Sequence, residues 1–283
     1  MLGALLQFGV RAPSTFKQRT LLRRFNEQME RGLYIAASGM TSAMVRQDVI
    51  ANNLANVSTV GFKGDKVVNE SFADRLLYNM RGGGGNGLQA MGEFGYGTRV
   101  AGTITDFGQG SLRPTEQPLD VAIGGDGFFR VRTEDGTVAY TRNGQFTRSP
   151  DGFLTTQTGE YVLGPANDNN PVYIGQDGID PLIRADGRVT AADGSQLGQI
   201  GIATLDVPNS RKFGQNMWIG EETGGLPPGT QLRQRFVEAS SVNSVHEMVD
   251  MITTLRSYES SQRVITSIDG TLDKAVNSVG SLG

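Results

Sequence analysis

The chain holds one histidine and no cysteine among its 283 residues, so the residue types that carry nucleophilic, redox or metal chemistry are nearly absent. A Cys–His pair and a cysteine-based metal site are excluded outright. A Ser–His–Asp set would have to use His246, which lies in an amphipathic pattern near Glu247 and Asp250 rather than in a loop over a cleft. A metal held by His246 and these acids is also disfavoured, because Glu247 at i+1 would point away on a helix. A solvated or interface histidine is the favoured reading. Carboxylates are plentiful, at 29 Asp and Glu, and a pair of them is what glycosidic cleavage needs. In the centre of the chain, though, Asp or Asn repeatedly precedes Gly: Asp126-Gly127, Asp135-Gly136, Asn143-Gly144, Asp151-Gly152, Asp177-Gly178, Asp186-Gly187 and Asp193-Gly194. Such pairs make hairpin turns because both residues tolerate positive φ, so turn formation already accounts for them. The EF-hand order of alternating acids with a final Glu is absent. The run Arg81–Gly87 (RGGGGNG) lacks the Lys-Ser/Thr ending of a phosphate loop and reads as a flexible loop. The sequence thus offers no catalytic, cofactor-binding or metal-binding residues.

The elements around this centre are of a different kind. Leu33, Ala37, Met40, Met44, Gln47, Ala51 and Leu54 are spaced by alternating fours and threes, the seam of a coiled coil or a long packed helix. Small residues (Ala36, Ala37, Gly39, Ala43, Ala51, Ala55) crowd the same side and would let a neighbouring helix come close. The spacing predicts a helix from Arg31 to Val57, about 40 Å long, that breaks near Gly61. A second helix is predicted from the apolar series Val242, Val245, Met248, Val249, Ile252, Leu255, Tyr258, Ile265, Ile268, Leu272, Val276 and Val279. Asn243 or Ser244 would cap it, with Glu247 in the first turn, where negative charge is favoured; it should end near Ala275. Between the helices, short strand-like runs such as Arg99–Ile104, Leu119–Ile123, Phe128–Arg132, Val138–Thr141, Val172–Ile174 and Ile200–Leu205 alternate with the turn pairs. The expected fold is therefore α+β: long, coiled-coil-like N- and C-terminal helices packed together, with a mainly antiparallel β central domain.

Composition agrees. The 39 glycines favour a turn-dense β body, and a formal charge of −3 gives no reason to expect nucleic acid or an anionic membrane as partner. There is no run of 18 or more apolar residues, so no transmembrane helix and no direct membrane insertion are expected. Residues 1–28 hold Arg11, Lys17, Arg19, Arg23 and Arg24 against Glu27 alone, and no clean cleavage site follows their short apolar stretch. They read either as a basic N-terminal arm or as a segment ahead of the true start, with Met29 the favoured initiator. The expected organisation is this basic extension (1–28), an N-terminal axial helix (29–64), a Gly-rich connection (65–97), a β-rich central domain (98–237) and a C-terminal axial helix (238–283). Each helix carries an apolar stripe that it cannot bury alone. Two readings stay open on periodicity: packing within one chain, or packing against copies as well.

Residues 31–63 (RGLYIAASGMTSAMVRQDVIANNLANVSTVGFK) resemble the N-terminal signature of the bacterial flagellar rod and hook protein family, through Ser38-Gly39-Met40, Ala51-Asn52-Asn53-Leu54-Ala55-Asn56 and Thr59, Gly61, Phe62 and Lys63. Leu119–Gly164 is similar to the family's central β segment, and Glu238–Tyr258 to the start of its C-terminal helix. Val60 stands where the family more often has proline, and residues 205–220 match loosely. The length and single compact middle fit the rod members, the distal type over the proximal, rather than the longer hook protein. The resemblance implies a non-enzymatic, axial structural protein of the flagellar basal body. It implies a helical homopolymer formed through the terminal helices, which would carry motor torque to the hook. Implied partners are copies of itself, other rod and hook proteins, the flagellar type III export apparatus and, where an outer membrane exists, the bushing-ring proteins. A hook or related tubular component, or a polysaccharide-binding or -cleaving β protein, are the alternatives.

On this reading the assembly residues are Leu33, Met40, Met44, Leu54, Val245, Val249, Ile252 and Ile265 on the helices. Asn52, Asn53 and Asn56 would bond neighbouring backbone and end the first helix. Gly61 and Phe62 would form the turn and anchor after it, and Asn243 would be a cap or a subunit contact.

Overall fold

The computed structural model describes residues 15–71, 75–78, 90–94, 97–176, 178–214 and 216–280. The Gly-rich run 81–87, the apolar start of the chain and the last three residues lie outside the described residues. Helix α1 spans Thr15–Ala55 and helix α2 spans Ser244–Gly280. Helix α1 begins sixteen residues ahead of the predicted Arg31. The segment 15–28 is rich in Lys, Arg, Gln and Leu and free of Gly and Pro, so intrinsic propensity carries the helix backwards without an apolar seam.

The strands lie between the helices and pair antiparallel. The first group is β1 (Asp65–Ser71), β2 (Arg75–Tyr78), β3 (Ala90–Phe94), β4 (Thr98–Thr105) and β5 (Leu112–Pro114). Then come β6 (Val121–Gly124), β7 (Phe128–Arg132), β8 (Val138–Thr141), β9 (Phe146–Arg148), β10 (Leu154–Thr156) and β11 (Tyr161–Val162). A third run is β12 (Leu182–Ile183), β13 (Arg188–Thr190), β14 (Gln196–Gln199), β15 (Ile202–Leu205) and β16 (Arg211–Phe213). The last are β17 (Met217–Ile219), β18 (Glu222–Gly224), β19 (Gln231–Gln234) and β20 (Phe236–Glu238). The region 65–97, read as a connection, thus contributes β1, which pairs with β4, and the hairpin β2–β3.

The chain divides into two compact units, one of residues 1–48, 67–102 and 252–283, the other of residues 49–66 and 103–251. In the second unit a nine-stranded sheet runs β16-β17-β8-β7-β11-β10-β9, with β15 also on β7 and β18 on β15. Strand β7 is its centre, pairing Phe129 with Thr141 of β8 and Val162 of β11 with Val131. Because strand side chains alternate between faces, adjacent Phe129 and Phe128 enter different cores. Phe129 packs with Val121, Ile123, Leu154, Val162 and Ile200, in edge contact with Phe146. Phe128 packs with Tyr140, Leu205 and Trp218, where Phe107 joins the aromatic group.

The glycines show two separate uses. Gly127, Gly136, Gly152, Gly178, Gly187 and Gly194 have positive φ, as the turn pairs predict. Gly144 does not, and Asn143-Gly144 closes no hairpin: β8 pairs with β7 and β17 while β9 pairs with β10. Glycine is needed at 144 because a Cβ there would fall on the Val121 carbonyl oxygen, whose own N–H donates to Gly144 O at 2.9 Å.

In the first unit three contacts fix how the helices run. Thr271 Oγ1 lies 4.0 Å from Met29 Sδ. A Cβ on Gly32 would lie 3.2 Å from Ile268 Cδ1, and one on Gly39 3.6 Å from Ser261 Oγ. As the α1 number rises the α2 number falls in step, so the helices are antiparallel neighbours, brought close by glycine. Among the described side chains of α1 the buried positions are Ala36, Ser42, Ala43, Ile50 and Asn53, one residue off the expected seam at 36/37, 43/44 and 50/51. At 43/44 the smaller Ala43 is the buried one, whereas at 50/51 it is the larger Ile50, so the buried face is shifted without a single size rule. Met44 is left 55% exposed.

Candidate assembly surface

Helix α2 starts at a built cap. Asn243 Oδ1 accepts from the backbone N–H of Val245 at 3.0 Å and of His246 at 3.2 Å. Beyond the cap, Val245 (67% exposed), Met248, Val249, Ile252 and Leu255 all stand open to solvent. Their spacing of i, i+3, i+4, i+7 and i+10 places them on one face. Thr254 is the only buried side chain among the described ones of α2. Burying such a side chain completely is worth about 1.5–3 kcal/mol, so covering these five half-exposed ones would yield about 5 kcal/mol before association costs. His246 sits on the same helix, exposed, with Nε2 3.9 Å from Asp250 Oδ2. Among the described residues no cluster of His, Asp and Glu could hold a metal ion, and no helix is long and apolar enough to cross a membrane.

The turn that leaves α1 is built by asparagines. Asn56 Nδ2 donates to the Asn52 carbonyl at 2.9 Å and its Oδ1 accepts from Thr59 Oγ1 at 3.1 Å, which closes the helix. Asn53 is buried and imitates a peptide: its Nδ2 donates to Asp65 O at 2.9 Å and its Oδ1 accepts from Asp65 N at 3.0 Å, which seats the first residue of β1. Gly61 has φ +66°, and a Cβ there would lie 2.4–2.6 Å from backbone atoms of Arg142 and Asn143. Phe62 is buried, with the Lys212 ammonium 4.7 Å over its ring.

Beside Phe62 lies a buried ionic cluster. Lys63 Nζ is 2.6 Å from Glu238 Oε1 and donates to Gly108 O at 2.7 Å. The Gly110 N–H donates to the same Oε1 at 2.8 Å, and Arg142 Nη1 lies 3.2 Å from Oε2. Lys63 and Glu238 are each only 1% exposed. Burial pushes the Lys63 ammonium below the usual lysine range, against the opposing attraction of Glu238.

The expected assembly residues therefore fall into separate groups. Val245, Val249 and Ile252 share the open face of α2, and Met44 is exposed on α1. Leu33, Met40, Leu54 and Ile265 are half-buried, and Asn52 and Asn243 are exposed. Asn53, Asn56, Gly61 and Phe62 are buried together in the second unit. Sequence reasoning did not select Arg142 or Glu238, nor assign Lys63 a role. The local sequence carries no signal for this, since Lys63 is followed closely by Asp65 and Lys66 and alone resembles an ordinary surface charge.

Comparison with known proteins places these features. Residues 33–63 match the model described as flagella basal body rod protein. Residues 122–191 match the flagellar hook protein FlgE/F/G D1 domain, and residues 233–278 the flagellar basal body rod FlgEFG protein C-terminal. The flagellar basal-body rod protein FlgG of Borreliella burgdorferi is 36% identical over 88% of this chain and 98% of its own length. FlgG of Bacillus subtilis is 35% identical over 88% and 99%. The flagellar basal-body rod protein FlgF of Caulobacter vibrioides is 30% identical over 90% and 99%. Similarity over most of the chain, with all three matched models in order along it, means that the chain belongs to the flagellar basal-body rod protein family, distal-rod type, and is a structural subunit of the basal-body rod rather than an enzyme.

Proposed function

We propose that the subunit polymerises through its terminal helices, with segments 29–64 and 238–283 forming an inner coiled-coil-like layer and the β-rich region 98–237 facing outward. The observation that supports this most is the open apolar face of α2, with Val245, Val249 and Ile252 each at least half exposed. Leu33, Met40, Met44, Leu54 and Ile265 would add to the same layer. A face repeated on every copy and met by a different face of the next makes a heterologous contact that propagates instead of closing. The resulting shaft would carry motor torque to the hook. Its neighbours would be other rod and hook proteins and, around it, bushing-ring proteins where an outer membrane exists. The type III export apparatus would deliver the chain unfolded.

The test is the triple variant Val245→Ser, Val249→Ser, Ile252→Ser. It should keep the melting point of the β body while losing concentration-dependent large species in sedimentation and failing to restore motility to a strain lacking the subunit. Assembly and motility at the wild-type level would overturn the proposal.

A further inference from the structure

The carboxylate of Glu238 is held from three directions. Lys63 comes from the turn that leaves α1, Gly110 from the loop after β4, and Arg142 from the end of β8. Around it the segments 61–64 and 238–241 are tied along their length. The Gly61 N–H donates to Glu238 O at 2.7 Å, the Ser241 N–H to Phe62 O at 3.0 Å, and the Gly64 N–H to Ser241 Oγ at 3.1 Å. Glu238 ends β20, and Ser241 stands three residues ahead of α2. The chain leaving one terminal helix and the chain entering the other thus share a single buried joint.

The charges in this joint are poorly explained by stability. Two cations share one anion, so the cluster carries a net positive charge at full burial, and Arg142 Nε has no acceptor. Desolvating ions is costly, and apolar replacement of buried ion pairs is often neutral or stabilising. Removing Lys63 would leave a neutral Arg142–Glu238 pair, the cheaper arrangement to bury. What Lys63 adds is a directed link between the two ends of the chain.

We infer that Lys63 and Glu238 are positioning residues for assembly, a buried ionic joint that fixes the entry of α2 only when the turn after α1 is folded, so that the two axial segments are presented in one register. This rests on the terminal-helix reading of the rod contact. Buried polar groups hold register at the expense of stability in the best-attested cases, and a shaft under torque needs both helices anchored at one point of the body.

The experiment uses the full chain with Lys63→Met and, separately, Glu238→Gln. Lys63→Met should melt no lower than wild type, while the amides of Gly61 and Ser241 exchange with solvent at least tenfold faster and the concentration needed for large species in sedimentation rises at least tenfold. Lys63→Arg should restore both. Glu238→Gln, which strands two buried cations, should lower the melting point sharply. Unchanged exchange in Lys63→Met would overturn the joint, and so would unchanged assembly with exchange accelerated. A melting point in Lys63→Met that falls together with assembly and is not rescued by Lys63→Arg would reduce the cluster to a stability element. The serine variant of the α2 face runs in parallel: if it too assembles normally, the terminal-helix reading itself has failed, whereas its failure beside a normal Lys63→Met removes only the joint.

Discussion

Replacing Gly61 by alanine probes the junction at its tightest point. The residue has φ +66°, and the added methyl would lie 2.4 Å from the Arg142 carbonyl carbon, 2.5 Å from its oxygen and 2.6 Å from Asn143 N. None of these is a side-chain end that can swing aside, so the turn itself must move. The left-handed conformation costs an L-residue about 1–2 kcal/mol. Moving the turn breaks the 2.7 Å bond from Gly61 N–H to Glu238 O, and stranding a buried backbone pair costs about 1–3 kcal/mol. Alanine stiffens the unfolded chain and returns about 0.4–1 kcal/mol. The net loss is about 3 kcal/mol, or roughly 6–12 °C in melting point for a body of this size. Gly136 is the control, because its φ is +81° with open space around the added methyl. Gly136→Ala carries only the conformational cost, about 1 kcal/mol and roughly 2–4 °C. Thermal unfolding followed by circular dichroism compares the two. Equal shifts would show that the approach of the turn to Arg142 and Asn143 does not constrain residue 61, and the reasoning would be wrong.

Asn53→Ala should destabilise the body by about 2–3 kcal/mol in urea unfolding, since it strands the N–H and C=O of Asp65. Asn53→Asp should be worse, because a carboxylate cannot donate to Asp65 O and adds negative charge near Glu247 Oε1, 3.4 Å from Asn53 Nδ2. The lowered pKa of Lys63 predicts a pH dependence of defined sign. Below its folded value both states are protonated and the burial penalty is complete; as pH rises from there towards 10.5 the folded state sheds its proton first, and stability rises. Wild type should therefore gain stability relative to Lys63→Met on going up through this alkaline range, and parallel profiles would refute the assignment.

The elements were legible where one pattern repeats. The apolar series from Val242 to Val279 gave α2, and the Asp-Gly pairs marked turns whose glycines have positive φ at 127, 136, 152, 187 and 194. Strand β7 was legible as the apolar run Phe128–Arg132, but not that its two phenylalanines serve opposite cores, because that depends on sheets packing on both faces. Val172–Ile174 was read as a strand and makes only an isolated bridge, Tyr173 to Phe153; a single apolar run does not supply a ladder partner. The seam of α1 was displaced by one residue: at 43/44 hydropathy weights Met44 above Ala43, yet Ala43 is the buried one, while at 36/37 both residues are alanine and the pattern could not choose between them. The ionic joint was illegible for a related reason. Lys63, Arg142 and Glu238 are far apart in sequence, and each alone resembles an ordinary surface charge.

These two misreadings bear on the same question of what a rod subunit must do before and after it joins the rod. A protein selected only to fold would turn the large apolar residues of its helices inward and leave charges outside. Here Met44, Val245, Val249 and Ile252 are exposed while Lys63, Arg142 and Glu238 are buried. On the proposed assembly, the exposed apolar residues would hold back free energy that a neighbouring copy releases. On the inferred joint, the buried charges would fix geometry more than they add stability, because an ion pair with backbone partners tolerates far less displacement than an apolar contact. If both proposals hold, affinity between subunits and rigidity within each one rest on different residues. Serine on the α2 face should weaken assembly without loosening the junction, and methionine at position 63 should loosen the junction without changing any residue of the α2 face.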